Sequence, residues 1–409
     1  MVKCKCVFLF VLKIIYLHQY FKTPEEGGAI RSYHISTALA NAGFEVEIIT
    51  SHNEKQYLKK QIQGVVVHYL PIHYQNNLGS LARIWAFLKF TRSSYFLAKK
   101  IQRQNCSTPL LCYATSTPLT VGWVALRLKR KLNIPFFFEV RDLWPQAPIE
   151  MGVIKYNWLK KVLFKFERKI YQQATQIIAL SPGIKEAITN KVSSNKTVLV
   201  SNMSDNEFFI PQKKEYNQGD TLIKPPFIIS YIGTVGPANH LEYLIKVAEL
   251  AQERGMTQIQ FWIVGSGKQL ANIQAQSEHL TNITFHPPTN KQAVKGLLEQ
   301  SDATYTSFLQ IPVLTTCSPN KFFDSLAMGK LTIVNTRGWL KELVEENKCG
   351  FYANPQNPEE FLTQLTPFLE KEALLYQYQQ NARDLALTQF DKHQLCTDIV
   401  NLVKDHFIR

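Results

Sequence analysis

The residues best suited to chemistry stand together at 311–330, IPVLTTCSPNKFFDSLAMGK. Ser318-Pro319-Asn320 reads as a helix entry, and Lys321 and Asp324 fall one turn apart on the helix it opens. Backbone amides at a helix start, joined by a lysine ammonium, suit a diphosphate, and a carboxylate suits ribose hydroxyls. A capped helix with a Lys–Asp surface pair is the other reading. Three loops add glycine. Residues 19–29 carry Gly27 and Gly28 ahead of a helix, 231–240 (YIGTVGPANH) carry Gly233, Thr234 and Asn239, and 264–267 (VGSG) carry Gly265. Glycine lets backbone N–H groups approach a phosphate without a Cβ in the way. None of the three is G-x-G-x-x-G, so a dinucleotide fingerprint is absent, and each alone reads equally as a turn.

Arg141 and Asp142 end the apolar run Phe136-Phe137-Phe138-Glu139-Val140. Charge at the end of a buried strand is costly unless it is paired or functional. Arg141, Asp142 and Lys321 are therefore the candidate catalytic residues, with a structural ion pair as the alternative for the first two. His18 reads as a core or loop histidine. No Asp-x-Asp stands in a suitable strand-end loop and no Cys/His set has zinc spacing, so neither metal nor cofactor is expected.

Parallel strands must position these loops. In the first half, strand candidates fall at 13–17, 45–50, 65–69, 110–114, 135–140, 176–179 and 197–200, with a helix at 31–42 closed by Gly43. Residues 206–226 are polar, charged and broken by Pro and Gly, as a linker is. The rhythm restarts with strands at 227–232, 260–264, 283–285, 303–306 and 331–335, separated by helices at 241–254, 269–279, 291–300 and 321–328. Strands alternating with helices indicate βαβ units. The expectation is two doubly wound α/β domains, 13–205 and 227–390, with a final helix at 391–409 that crosses back to the first. Ligands of such sheets bind beyond the carboxyl ends of the strands, where the loops above lie.

A chain of 409 residues with 45% hydrophobic content supports two folded domains. Its charge is uneven. Residues 1–205 hold 28 Lys and Arg against 11 Asp and Glu, or +17, while the remainder carries −3. Such asymmetry points the first domain at an anionic surface. Basic residues interleave with aromatics at 81–103 and 158–171, a pattern that suits an anionic membrane surface, with solvated helix faces as the alternative. Nucleic acid is not expected, because no recognised binding fold accompanies the charge. Seven cysteines in a large chain read as reduced cytoplasmic thiols, including Cys4 and Cys6. Residues 1–12 only loosely resemble a leader and lack a small-residue cleavage site.

The order of motifs resembles the retaining GT-B glycosyltransferases of family 4. Within it, the chain is most similar to the subgroup with the L-N-acetylfucosamine transferase-like enzymes of O-antigen and capsule assembly. The likeness runs from Lys13 to about residue 365. It rests on YLHQYFKTPEEGGAIRSY (16–33), FEVRDLWPQ (138–146), ALSPGIKEAI (179–188), SYIGTVGPANHLEYLI (230–245), FWIVGSG (261–267), the 311–330 stretch and GWLKELVEENKCGF (338–351). The resemblance implies two Rossmann-like domains facing a cleft. It implies Gly27, Gly28, Gly233, Thr234, Asn320, Lys321 and Asp324 around the donor, Asp324 meeting the ribose, and Arg141 and Asp142 beside the transferring sugar; Asn239 and Gly265, in the strand-end loops, complete the expected donor-binding set. Three departures stand out. Thr234 and Asn239 replace an Arg and a Lys, Arg141 replaces a His, and the family's Glu-x7-Glu becomes Thr316 and Asp324.

The expected activity is metal-independent transfer of a hexose-type residue from a nucleotide sugar, UDP-linked, to a lipid-linked or polysaccharide-precursor acceptor at the inner face of the cell membrane. A sugar-nucleotide epimerase on the same fold and a non-catalytic membrane scaffold are the alternatives.

Overall fold

The computed structural model describes residues 12–28, 30–75, 79–212 and 226–407. The first sheet holds β1 (Lys13–Leu17), β2 (Glu45–His52), β3 (Leu58–Ile62), β4 (Val65–Pro71), β5 (Leu110–Thr115), β6 (Phe136–Val140), β7 (Gln176–Ala179) and β8 (Thr197–Leu199). Their order is β3-β4-β2-β1-β5-β6-β7-β8, and every pairing is parallel except β3 with β4. The second sheet holds β9 (Phe227–Ile232), β10 (Ile259–Val264), β11 (Ile283–His286), β12 (Ala303–Thr306), β13 (Leu331–Val334) and β14 (Gly350–Tyr352), in the order β11-β10-β9-β12-β13-β14 and parallel throughout. The molecule is thus two Rossmann-like α/β lobes, as the resemblance implies.

The strand sequences explain the burial. KIIYL in β1 and FFFEV in β6 are buried at every residue, because helices cover both faces of a parallel sheet and no polar alternation is needed. β3 reads LKKQI, is almost wholly exposed, and pairs antiparallel at the sheet edge. Charged side chains protect such an edge, and the same polarity hides the strand from a hydrophobicity pattern. In each sheet the order reverses beside the first strand. β1 lies between β2 and β5, and β9 lies between β10 and β12, so each lobe has a crevice beyond those strand ends.

The segment expected as linker from residue 206 begins inside the second lobe. Phe209 is fully buried in a cluster with Phe322, Phe323 and Leu326. The Arg383 guanidinium donates to the carbonyls of Phe209 at 2.9 Å and Asn206 at 3.1 Å. Two phenylalanines set among polar residues anchor this stretch; residues 213–225 lie outside the described residues. The final helix, Lys392–Phe407, buries Leu395, Cys396, Ile399, Val400 and Val403 in the core of the first lobe, against helix Arg31–Asn41. The chain therefore crosses between the lobes twice. The five described cysteines are free, while Cys4 and Cys6 lie outside the described residues. Among the described residues, no helix is long and apolar enough to cross a membrane.

Arg31 ties the first lobe to the crossover. Fully buried, its Nε donates to Glu139 at 3.0 Å and its Nη2 to the Val200 carbonyl at 3.0 Å, while Nη1 donates to the Ser201 carbonyl. The Tyr113 hydroxyl donates to the same Glu139 oxygen at 2.8 Å. Removing one member leaves an uncompensated buried charge. Arg31→Met should therefore cost about 3–5 kcal/mol in urea unfolding of the first lobe, and Arg31→Met with Glu139→Gln should cost less. A single variant as stable as wild type would show that the pair contributes no such support.

Candidate active site

The carboxyl ends of the two sheets face each other across a cavity of about 420 Å³. Seven of the residues singled out by sequence line it: Gly28 from the first lobe, and Gly233, Thr234, Gly265, Asn320, Lys321 and Asp324 from the second. Gly27 lies just behind, where a Cβ would come 3.9 Å from the backbone nitrogen of Lys291. The loops after β9 and β10 nest backbone to backbone. A Cβ at Gly265 would fall 1.9 Å from the Gly233 carbonyl oxygen, so only glycine fits there. A Cβ at Gly233 would lie 3.1 Å from Lys321 Nζ, which brings the lysine head against bare backbone.

Helix Asn320–Ala327 aims that lysine. Phe322 and Phe323 are buried on its inner face, Phe323 edge-on to Phe390 at 5.1 Å, which leaves Lys321 and Asp324 toward the cavity. Lys321 Nζ is shielded from solvent without a hydrogen-bond partner and sits 3.9 Å from the centroid of the Tyr231 ring. The ring holds its place because its hydroxyl donates to the Thr234 carbonyl at 2.6 Å. A cation over an aromatic face is stabilised, though far less than by a carboxylate. Burial accordingly pushes the Lys321 ammonium down to about 7. Burial pushes the Asp324 carboxyl up to about 7, with Asp205 adding to the shift and Lys291 opposing it. Among the described residues the two form no ion pair, so the surface-pair reading fails: helix spacing brings them to one face, but not their charged ends together.

Sequence reasoning missed the acidic residue that joins the lobes. Asp205, at the crossover, accepts from Lys392 at 2.7 Å and from Lys291 at 2.5 Å, with His34 Nε2 at 3.8 Å. Burial alone would raise its carboxyl, but the hydrogen bonds from Lys291 and Lys392 hold it down at about 2. His34 is pushed down to about 4 by burial, against the pull of Asp205. Asp205, His34, Lys291 and Arg31 all line the cavity. The usable signal was the position of Lys291 at the start of a helix that follows a strand end.

Three expected residues lie apart from the cavity lining. Asn239 closes the short turn Pro237–Asn239, its N–H donating to the Gly236 carbonyl at 2.9 Å. Arg141 and Asp142 follow β6, one strand beyond the β1–β5 crevice, which is why they do not face the lysine. The Arg141 N–H donates to Ser116 Oγ at 3.1 Å, and its Nη1 stands 3.5 Å from His18 Nε2. Thr117 Oγ1 donates to Asp142 at 3.4 Å, and burial raises the Asp142 carboxyl against Arg141 and Thr117. His18 is buried, and burial and then Arg141 hold it well below the usual histidine range; its Nδ1 has no partner.

A shielded ammonium beside free helix amides can take a dianion, and a carboxylate one turn on can accept from a diol. Comparison with known proteins shows the family and the fold. Residues 26–203 match the glycosyl transferase 4-like domain, and residues 226–371 match glycosyl transferases group 1. Sucrose-phosphate synthase from Thermosynechococcus elongatus superposes with a TM-score of 0.75 at 16% identity, over 97% of this chain and 99% of that one. Anabaena HepE in complex with UDP-glucose gives 0.66 at 16% identity, over 96% and 99%. The E. coli trehalose-6-phosphate structure bound with UDP-2-fluoro glucose gives 0.68 at 10% identity, over 96% and 99%. No curated protein matches the chain by sequence. The fold is that of the GT-B glycosyltransferases. The chain joins a glycosyl transferase 4-like domain to a glycosyl transferases group 1 domain, and it is a glycosyltransferase.

The two shifted groups leave a mark on stability. Lys321 is harder to protonate folded than unfolded, so its cost is fully present below about pH 7 and fades as the pH rises toward the ordinary lysine value of 10.5. Asp324 is harder to ionise folded, so its cost is fully present above about pH 7 and fades as the pH falls toward 3.8. The two penalties overlap most near pH 7. Lys321→Met and Asp324→Asn should each raise stability there by at least about 1 kcal/mol in denaturant unfolding. Destabilisation by both would refute the shifts.

Proposed function

We propose that this glycosyltransferase moves a hexose-type sugar from a UDP-linked donor to a lipid-linked or polysaccharide-precursor acceptor, with retention and without a metal, in cell-surface polysaccharide assembly. The carrying observation is the shielded, unpartnered Lys321 ammonium at the end of β9, with Asp324 one turn beyond. The bond from the sugar anomeric carbon to the β-phosphate oxygen breaks, an acceptor hydroxyl oxygen bonds to that carbon on the same face, and the hydroxyl proton passes to the departing diphosphate, on which negative charge grows first. Lys321 and the N–H groups of Asn320 and Thr234 stabilise that charge, in place of the Arg and Lys replaced by Thr234 and Asn239. Asp324 accepts from the ribose hydroxyls, Gly265 leaves room for the loop, and Gly27 and Gly28 close over the phosphates from the first lobe. Arg141 and Asp142 face the sugar and acceptor side. Retention, the acceptor class and the O-antigen or capsule role are supported by the family resemblance. A UDP-linked donor is supported by the UDP-sugars bound in the Anabaena and E. coli structures. The basic first half of the chain supports work at the inner face of an anionic membrane.

Lys321→Ala should lower turnover about 10²–10³-fold, the range seen when one donor to a developing charge is removed. Wild-type turnover in that variant would take Lys321 out of the mechanism. A panel of nucleotide sugars should raise the melting temperature selectively for UDP-linked members. No shift with any of them would favour the scaffold reading, and conversion of a UDP-sugar without acceptor would favour the epimerase.

A further inference from the structure

The exposed apolar residues of the first lobe are not scattered. On helix Ser80–Gln104, Leu81, Ile84, Trp85 and Leu88 follow the i, i+3, i+4, i+7 spacing of a single stripe, and Leu81 and Trp85 are 77% and 70% exposed. A second group, Val153, Tyr156, Trp158 and Val162, spans the start of helix Asn157–Gln173, with Trp158 65% exposed. Single exposed apolar residues need no explanation, but two groups this size call for an occupant.

The two groups share a layer and an end. Both helices pack against helix Val121–Leu132. Both start at the cleft rim. Arg83 donates to the Tyr74 hydroxyl at 3.1 Å, and the Tyr74 ring rests 4.7 Å from Tyr20 in the loop after β1. Helix Asn157–Gln173 follows Glu150, which accepts the Val313 N–H of the other lobe at 2.8 Å. Charge selects the occupant. Helix Ser80–Gln104 carries six Lys and Arg and no Asp or Glu, and helix Asn157–Gln173 carries five against one carboxylate, Glu167, which is buried and bonded to Lys191 at 2.9 Å.

We propose that these two apolar groups insert together into the interface of a bilayer containing anionic lipid, so that the cleft opens onto the membrane. This rests on the reading of a membrane-held acceptor and identifies the surface that would reach it. Tryptophan and tyrosine settle at the headgroup level, aliphatic side chains enter below it, and flanking cations meet anionic headgroups. A lipid-linked acceptor would then reach the cleft with its tail still in the bilayer.

Co-sedimentation of the full chain with vesicles tests this. Wild type should bind vesicles of phosphatidylcholine mixed with phosphatidylglycerol about tenfold or more tightly than vesicles of phosphatidylcholine alone, with a blue shift in tryptophan emission. Trp85→Glu/Trp158→Glu should lose about tenfold or more in affinity for the mixed vesicles. Its circular dichroism melting curve and UDP-induced thermal shift should remain those of wild type. Equal binding by variant and wild type, equal binding to both vesicle types, or no binding at all overturns the proposal. A wild-type chain that binds vesicles but no nucleotide sugar instead overturns the donor assignment and leaves the docking face standing.

Discussion

An ammonium that has been shielded from water without being given a carboxylate is the constraint around which this molecule is arranged. Lys321 rests on the Tyr231 ring and faces the bare backbone of Gly233. A paired lysine would be more comfortable and less useful, because an incoming anion would first have to displace its partner. Keeping Lys321 unpaired demands a buried helix behind it, supplied by Phe322 and Phe323, and a strand-end loop with no side chain in front of it. The helix start and the nesting of the loops after β9 and β10 both serve that one placement.

The second lobe cannot enclose a ligand alone, and the crossover supplies the other wall. Asp205 holds Lys291 of the second lobe and Lys392 of the returning helix, beside His34 of the first. Arg31 adds a buried anchor to the carbonyls of Val200 and Ser201. Ser181 Oγ donates to the Thr316 carbonyl at 2.6 Å, and Ser204 Oγ donates to the Phe323 carbonyl at 2.9 Å, across the same join. The lobes are therefore connected by directional polar contacts around the cavity and by apolar side chains of the second lobe, among them Val313 and Leu314, that pack into the core of the first.

Where a residue lines the cavity from within its own strand–loop–helix unit, sequence was enough to single it out. Gly233, Gly265, Lys321 and Asp324 each follow a buried strand or open a helix, and period and punctuation mark those positions. His34 and Asp205 were not legible, and Lys291 only as the start of a helix after a strand end, because only the folded crossover brings positions so distant in the chain to one cavity. The early linker boundary had a similar cause: Phe208 and Phe209 look incidental among polar neighbours until Arg383 and the second core are in place. β3 escaped for the opposite reason, since an exposed charged edge strand has no apolar period to read. Arg141 and Asp142 were found as a pair, but their distance from the crevice follows from sheet order, which the sequence pattern does not disclose.

Direct titration of the Lys321 ε-amine by NMR, with and without UDP, examines the shielded ammonium most closely. The free protein should show one lysine titrating near 7, absent from Lys321→Ala, and UDP should move it upward by more than about one unit as a phosphate takes the place of an absent carboxylate. A Lys321 that titrates near the ordinary lysine value of 10.5 in the free protein, or one that UDP leaves unmoved, would contradict the account.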